Sequence, residues 1–183
     1  QSRLISQVVA SVRAGGLIVY PTDSGYALGC HIGDKKALDR IRSIRKLDKD
    51  HNFTLVCRDL SELSIYAIVD NAAFRTLKNN TPGPYTFILR ASAEAPNRLQ
   101  HPKRKTIGIR VPPNPIALAL LESLGEPLMS TSLIMPDQQL TLGDPEEIFE
   151  KLDGRVDIVI NGGFIGDQPT SVIDLTEGYS QII

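Results

Sequence analysis

The stretch Gly15-Gly16-Leu17-Ile18-Val19-Tyr20-Pro21-Thr22-Asp23-Ser24-Gly25-Tyr26-Ala27-Leu28-Gly29-Cys30 carries more information than any other part of the chain. Leu17 to Tyr20 are β-prone, and Pro21, which has no backbone donor, is expected to end the strand there. Thr22, Asp23 and Ser24 then stand at a strand end, and Gly25 and Gly29 leave room for something bound to approach the backbone closely. Ligands of α/β sheets collect at strand ends, which reads this segment as one wall of a binding site. Pro, Thr, Asp, Ser and Gly are also the commonest turn formers, and an ordinary turn is the competing reading.

Outward from this stretch, apolar positions Leu4, Ile5, Val8, Val9 and Val12 recur at helical spacing and stop at the glycine pair. Asp34 caps a second helix with Ala37, Leu38, Ile41 and Ile44 facing inward. Strands are expected at 53–57, 85–90, 106–111, 128–132, 156–160 and 172–175. A helix is expected over 70–78, and another opens at Asn114-Pro115 and closes at Gly125. Asp144-Pro145-Glu146-Glu147 resembles a capping box ahead of a helix that Asp153-Gly154 stops. Helices and strands interleave without repeats, which predicts one α/β domain spanning 1–183 around a twisted mixed sheet, with some antiparallel pairs where connections are short.

At 183 residues the chain can bury roughly 70% of its extended surface, enough for one core. Twenty Lys and Arg against 21 Asp and Glu leave no overall pull toward nucleic acid or anionic membranes, so any anion site must be local. Cys30 and Cys57 stand in apolar surroundings without Cys-x-x-Cys spacing, which predicts buried thiols in a reducing cytoplasm. The histidines His31, His51 and His101 show no metal-ligand spacing, and no metal site is expected. No apolar run approaches membrane-spanning length. Gln1 stands where an initiating Met would, and trimmed ends are expected.

Walker-type, Gly-x-Ser-x-Gly and His-Glu-x-x-His motifs are absent from the sequence. What remains is a set of strand-end hydroxyls (Thr22, Ser24, Thr86, Ser130, Thr131, Ser132, Thr170, Ser171) and a set of cations (Arg42, Arg45, Lys46, Arg110). Cations supply charge-assisted bonds and hydroxyls fix orientation, a combination suited to a phosphate or carboxylate ligand.

Pro21-Thr22-Asp23-Ser24-Gly25-Tyr26-Ala27-Leu28-Gly29 resembles the hallmark of the threonylcarbamoyl-AMP synthase family, also called YrdC-like. Ser24 and Ala27 are similar to its YciO branch. Pro82-Gly83-Pro84-Tyr85-Thr86, Thr106 to Pro112, Ser130-Thr131-Ser132 and Pro169 to Asp174 extend the resemblance to Leu175. It implies an α/β fold with a concave, positively lined cavity. It also implies condensation of L-threonine, bicarbonate and ATP, with Mg²⁺, into threonylcarbamoyl-adenylate for tRNA modification, releasing pyrophosphate. By this resemblance Thr22, Ser24, Tyr26 and Thr131 would contact the amino acid, and Arg45, Lys46, Arg110, Ser130, Ser132, Thr170 and Ser171 the nucleotide. The alternative it offers is a non-catalytic module binding double-stranded RNA or tRNA through Arg42, Arg45, Lys46, Lys49, Lys103, Arg104 and Lys105, with a solvated loop as the plainer reading of the last three.

The chain also departs from that pattern. The family's Lys-x-Arg reads Arg45-Lys46-Leu47 or Lys46-Leu47-Asp48, and its Ser-x-Asn reads Ser132-Leu133-Ile134. Losing a bond to a charged partner removes about 1.5–3 kcal/mol, or roughly one to two decades in rate where that bond acts in the transition state. Slowed synthase activity or a changed reaction is the expectation. The Arg-containing segment that follows in the family lies past Ile183, which reads as a trimmed end or a missing phosphate contact.

Overall fold

The computed structural model describes residues 2–48 and 51–183. Nine strands form one mixed sheet: β1 Ile18–Thr22, β2 Gly25–His31, β3 Thr54–Val56, β4 Tyr85–Arg90, β5 Thr106–Arg110, β6 Leu128–Ser132, β7 Ile158–Val159, β8 Ser171–Asp174 and β9 Gln181–Ile182. Their order across the sheet is β7-β1-β2-β6-β3-β5-β4-β8-β9. The helices are α1 Ser2–Arg13, α2 Lys35–Arg45, α3 Leu60–Tyr66, α4 Asn71–Asn80, α5 Pro115–Leu124 and α6 Pro145–Leu152.

Local chemistry sets most of these limits. Asp34 accepts the Ala37 N–H at 2.9 Å and starts α2, and Asn114 accepts from both Ile116 and Ala117 to start α5. Gly125, at φ +72°, closes α5. At α6, Asp144 accepts from the Glu146 N–H, but Glu147 pairs with Lys151 at 2.9 Å, leaving half of the expected capping box. The sequence reading passed over α3, although Asp59 caps it through the Glu62 N–H at 2.8 Å.

The segment 17–30 differs most from expectation. β1 does not stop at Pro21: it continues to Thr22 and pairs as a hairpin with β2, Pro21 opposite Tyr26 and Thr22 opposite Gly25. On the outer side β7 pairs only with Ile18 and Val19, so the missing proline donor interrupts no ladder there. The glycines serve this hairpin and its neighbours rather than an open backbone. A Cβ on Gly29 would meet the Tyr20 ring at 2.9 Å, and one on Gly25, at φ +134°, would meet Thr141 Oγ1 at 2.5 Å.

Register sorts the side chains onto two faces, because strand residues alternate. One face packs Leu17, Val19, Leu28, Leu55, Phe87, Ile109 and Met129 with Leu38 and Ile41 of α2, Leu77 of α4 and Ile148 of α6. On the other, α1 and α5 bury Ile18, Tyr20, Ala27, Val56 and Leu128 with Val8, Val12, Leu120 and Leu124. That second face continues along the row Ile18, Gly29, Ser130, Thr54, Gly108, Ile88. At Ser130 and Thr54 the row turns polar, and there the sheet floors a cavity.

Candidate functional site

Six strands, β1 to β6, the β1–β2 turn and Thr170 ahead of β8 contribute to this cavity, which holds about 400 Å³ of space partly open to solvent. Thr22, Ser24, Tyr26, Arg110, Ser130, Thr131, Ser132 and Thr170 all border it, together with Tyr20, Thr54 and Thr86. The serine-rich end of β6 does not face the β1–β2 segment across the hollow: Ala27 pairs with Ser132 and Gly29 with Ser130 in neighbouring strands.

The β1–β2 turn is self-bonded. Thr22 Oγ1 donates to the Gly25 carbonyl at 2.6 Å and accepts from the Ser24 N–H at 3.1 Å, a pattern that short hydroxyl side chains favour in turns. The turn folds back over the sheet toward β5, although β6 and β3 lie between β2 and β5. There Arg110 Nη1 donates to Ser24 Oγ at 3.1 Å, and Nη2 donates to Asp23 Oδ1 and, at 3.3 Å, to the Gly83 carbonyl. Arg110 is 5% exposed. Its Nε and the second oxygen of Asp23 are buried without a hydrogen-bond partner among the described residues. Leaving buried charged groups short of a bond is costly.

Ser130 is less available than its position implies. Its one proton goes to the Leu28 carbonyl at 2.9 Å, so the Tyr20 hydroxyl, 2.6 Å away, donates to it. Burial pushes the Tyr20 hydroxyl up to about 12 and keeps it protonated for that role. Tyr26, expected beside the substrate, donates to the Gly163 carbonyl at 2.7 Å and accepts from the Gly162 N–H at 2.9 Å. Its hydroxyl therefore ties down the glycine-rich loop after β7. Gln168 N–H adds a bond to the Ser24 carbonyl at 3.1 Å, and Thr170 Oγ1 meets Thr86 Oγ1 at 2.8 Å.

Strand alternation directs other expected residues elsewhere. Ser171 follows Thr170 on the opposite side of β8, is exposed, and does not line the cavity. Thr131 borders the cavity, but its hydroxyl accepts from Arg45 Nη1 at 2.7 Å and lies 3.1 Å from His51 Nε2. Arg45 Nε donates to the Ile134 carbonyl at 2.9 Å, so this arginine braces the end of β6 instead of lining the hollow. Burial lowers both Arg45 and His51, and the charges of Arg45 and Arg42 lower His51 further. A neutral His51 accepts the Thr131 proton. Lys46 is the exposed, left-handed end of α2, away from the cavity. Arg42 donates to the Asp48 carbonyl at 2.6 Å and stacks over Phe53. Lys103, Arg104 and Lys105 are exposed, and Lys49 lies outside the described residues.

Arg110 is thus the cation that lines the cavity among the described residues, and Asp23 partners it. The sequence reading missed Asp23 as that partner and passed over Thr54 and Tyr20. For Thr54 a signal existed: it is the out-of-phase polar residue between Phe53 and Leu55, 2% and 1% exposed. Among the described residues no group of three or more His, Cys, Asp or Glu side chains is placed to hold a metal ion. None of their helices is long and apolar enough to cross a membrane.

A model of the Sua5, YciO and YrdC proteins, described as "Telomere recombination", matches residues 10–183. The chain belongs to this family. It is 64% identical to the YciO protein of Escherichia coli K12 over 177 residues, 97% of this chain and 86% of that protein. The crystal structure of E. coli YciO superposes with a TM-score of 0.94 at 62% identity, over 100% of this chain and 89% of that one. A threonylcarbamoyl-AMP synthase of Vibrio vulnificus is 28% identical over 161 residues, 86% of each chain. Sua5 of P. abyssi, in a crystal structure complexed with L-threonine, gives a TM-score of 0.90 at 25% identity, covering 100% of this chain and 54% of that protein.

Proposed function

We propose that this cavity binds ATP and a small α-amino acid of the L-threonine kind side by side, and that the chain forms the threonylcarbamoyl-adenylate slowly. The observation that carries the reading is Arg110, the cation that lines the cavity among the described residues, together with the unbonded hydroxyls of Ser132 and Thr54. An anionic oxygen pairs with the guanidinium, and an ammonium offsets the Asp23 carboxylate beside it. An amino acid carries both groups. Its binding to a related protein of the same fold supports the choice of L-threonine.

In the reaction the threonine amine and bicarbonate give a carbamate with loss of water, a carbamate oxygen then bonds to the α-phosphorus of ATP, and the bond from that phosphorus to the bridging oxygen breaks to release pyrophosphate. Mg²⁺ enters with ATP as part of the substrate. The chain's contribution is to hold two anions against each other and offset their charge, through Arg110 and the hydroxyls of Ser24 and Ser132. Ile134 offers no side-chain amide, and its carbonyl is taken by Arg45. Two lost polar groups account for a slow rate. Titration calorimetry with ATP and with L-threonine, followed by a pyrophosphate-release assay, tests the proposal; absence of binding to both rules it out.

A second reading, RNA binding, is favoured by the exposed run Lys103-Arg104-Lys105. Arg42 and Arg45 contribute less to it, since both are engaged within the protein. Phosphate contacts would make affinity for duplex RNA or tRNA fall steeply with salt, and a flat response rejects them.

A further inference from the structure

Most hydroxyls bordering the cavity are already spent on the protein. Thr22 donates to Gly25, Ser130 donates to Leu28, Tyr20 donates to Ser130, and Tyr26 donates to Gly163. Ser132, already used in the proposed reaction, is unbonded among the described residues, and so is Thr54: it borders the cavity, its hydroxyl has no hydrogen-bond partner there, and it is not among the fully buried polar atoms. It is therefore open to whatever fills the space.

Its surroundings are cleared on one side. Gly108, opposite Thr54 on β5, has no side chain, and a Cβ there would lie 3.8 Å from Thr54 Oγ1 and 3.6 Å from Thr86 Cγ2. Those are ordinary contacts, and Gly108 has no left-handed backbone to maintain, so the fold itself does not require glycine at this position. Hydroxyl and gap are neighbours across β3 and β5, while on β4 the register partner of Gly108 is Ile88 and the Thr86 hydroxyl is held by Thr170 at 2.8 Å.

We infer that Thr54 is a ligand-contacting, specificity-determining residue whose hydroxyl donates to an anionic oxygen of the substrate seated over Gly108. This rests on the reading of the cavity as a site for ATP and an amino acid. The oxygen belongs to a phosphate or a carboxylate, and titrating the two ligands separately distinguishes them.

The test uses Thr54→Val, Thr54→Ser and Gly108→Ala, with calorimetry against ATP alone and L-threonine alone, and thermal midpoints for each protein. Thr54→Val keeps the β-branched shape and removes the donor, so affinity for one of the two ligands is expected to fall about 10- to 100-fold with the midpoint unchanged. Thr54→Ser retains binding. Gly108→Ala keeps every hydroxyl but raises the floor, and weakens the ligand without altering the midpoint. Wild-type affinity in both Thr54→Val and Gly108→Ala overturns the inference while leaving the parent reading intact. A lowered midpoint in Thr54→Val also overturns it, by making the hydroxyl structural. Failure of the wild-type chain to bind either ligand overturns the parent reading and this one together.

Discussion

Arg110 on β5 and Asp23 in the β1–β2 turn form an ion pair, their side chains 6% and 19% exposed, with one nitrogen and one oxygen unpartnered among the described residues. The pair couples a turn to a strand that is not its sheet neighbour, and so it shapes the cavity as well as lining it. Replacing Arg110 by Met leaves Asp23 uncompensated, and urea denaturation at pH 7 is expected to show a loss of about 3–5 kcal/mol. Combining Arg110→Met with Asp23→Leu should recover part of that loss. A double variant no more stable than Arg110→Met would mean that the charges are not coupled.

Tyr26→Phe removes one donor to Gly163 and one acceptor for Gly162. The expected cost is about 1–3 kcal/mol, concentrated in the loop the hydroxyl holds. Hydrogen exchange of the Gly162 amide should accelerate far more than that of amides in β5. Equal acceleration everywhere would indicate a global effect and no tether.

At Gly29, Ala would push a methyl to 2.9 Å from the Tyr20 ring, which is wholly buried and bonded to Ser130. Overpacking of this kind costs about 1–3 kcal/mol. Gly29→Ala with Tyr20→Leu should be more stable than Gly29→Ala alone. Thermal unfolding of the three proteins decides the matter.

His51 makes stability depend on pH. Its folded value lies below the ordinary 6.5, because of burial and of Arg45 and Arg42. The unfolded chain therefore binds the proton first, and stability present above pH 6.5 is lost as pH falls toward the folded value. Glu62, raised by burial, acts with the opposite sign above its ordinary 4.5, but it does so in both proteins compared. The difference in urea midpoint between wild type and His51→Gln should shrink between pH 7.5 and 5.5. A constant difference would exclude this coupling.

Both thiols are buried, and burial raises them, Cys30 to about 12 and Cys57 well above 9. Thiolate is the reactive form, so a disulfide reagent at pH 8 should label neither Cys30 nor Cys57 in the folded protein and both in urea. Rapid labelling of the native chain would show that one of them is accessible.

Much of the architecture was legible in the chain. Asp34 and Asn114 begin helices and Gly125 ends one because capping is decided within a few residues of backbone. Strands β4 and β6 appear over the predicted spans, since alternation and β-prone side chains are local signals as well. β2 is not legible: Gly25 and Gly29 read as room for something bound, whereas Thr141 and Tyr20 occupy the space their missing side chains leave.

The sites divide along the same line. Residue type and order along the chain were enough to mark Thr22, Ser24 and Arg110 as residues that border the cavity and to make an anionic ligand the expectation, because charge and hydrogen-bonding capacity belong to the side chain itself. Whether a hydroxyl is free depends on partners remote in sequence: Tyr20 and Leu28 occupy Ser130, Arg45 and His51 occupy Thr131, and Thr54 is left open. Those pairings arise from the strand order β2-β6-β3-β5-β4, which register and packing establish and no local stretch encodes. Composition determined what the groups can do; the folded sheet decided which of them still can.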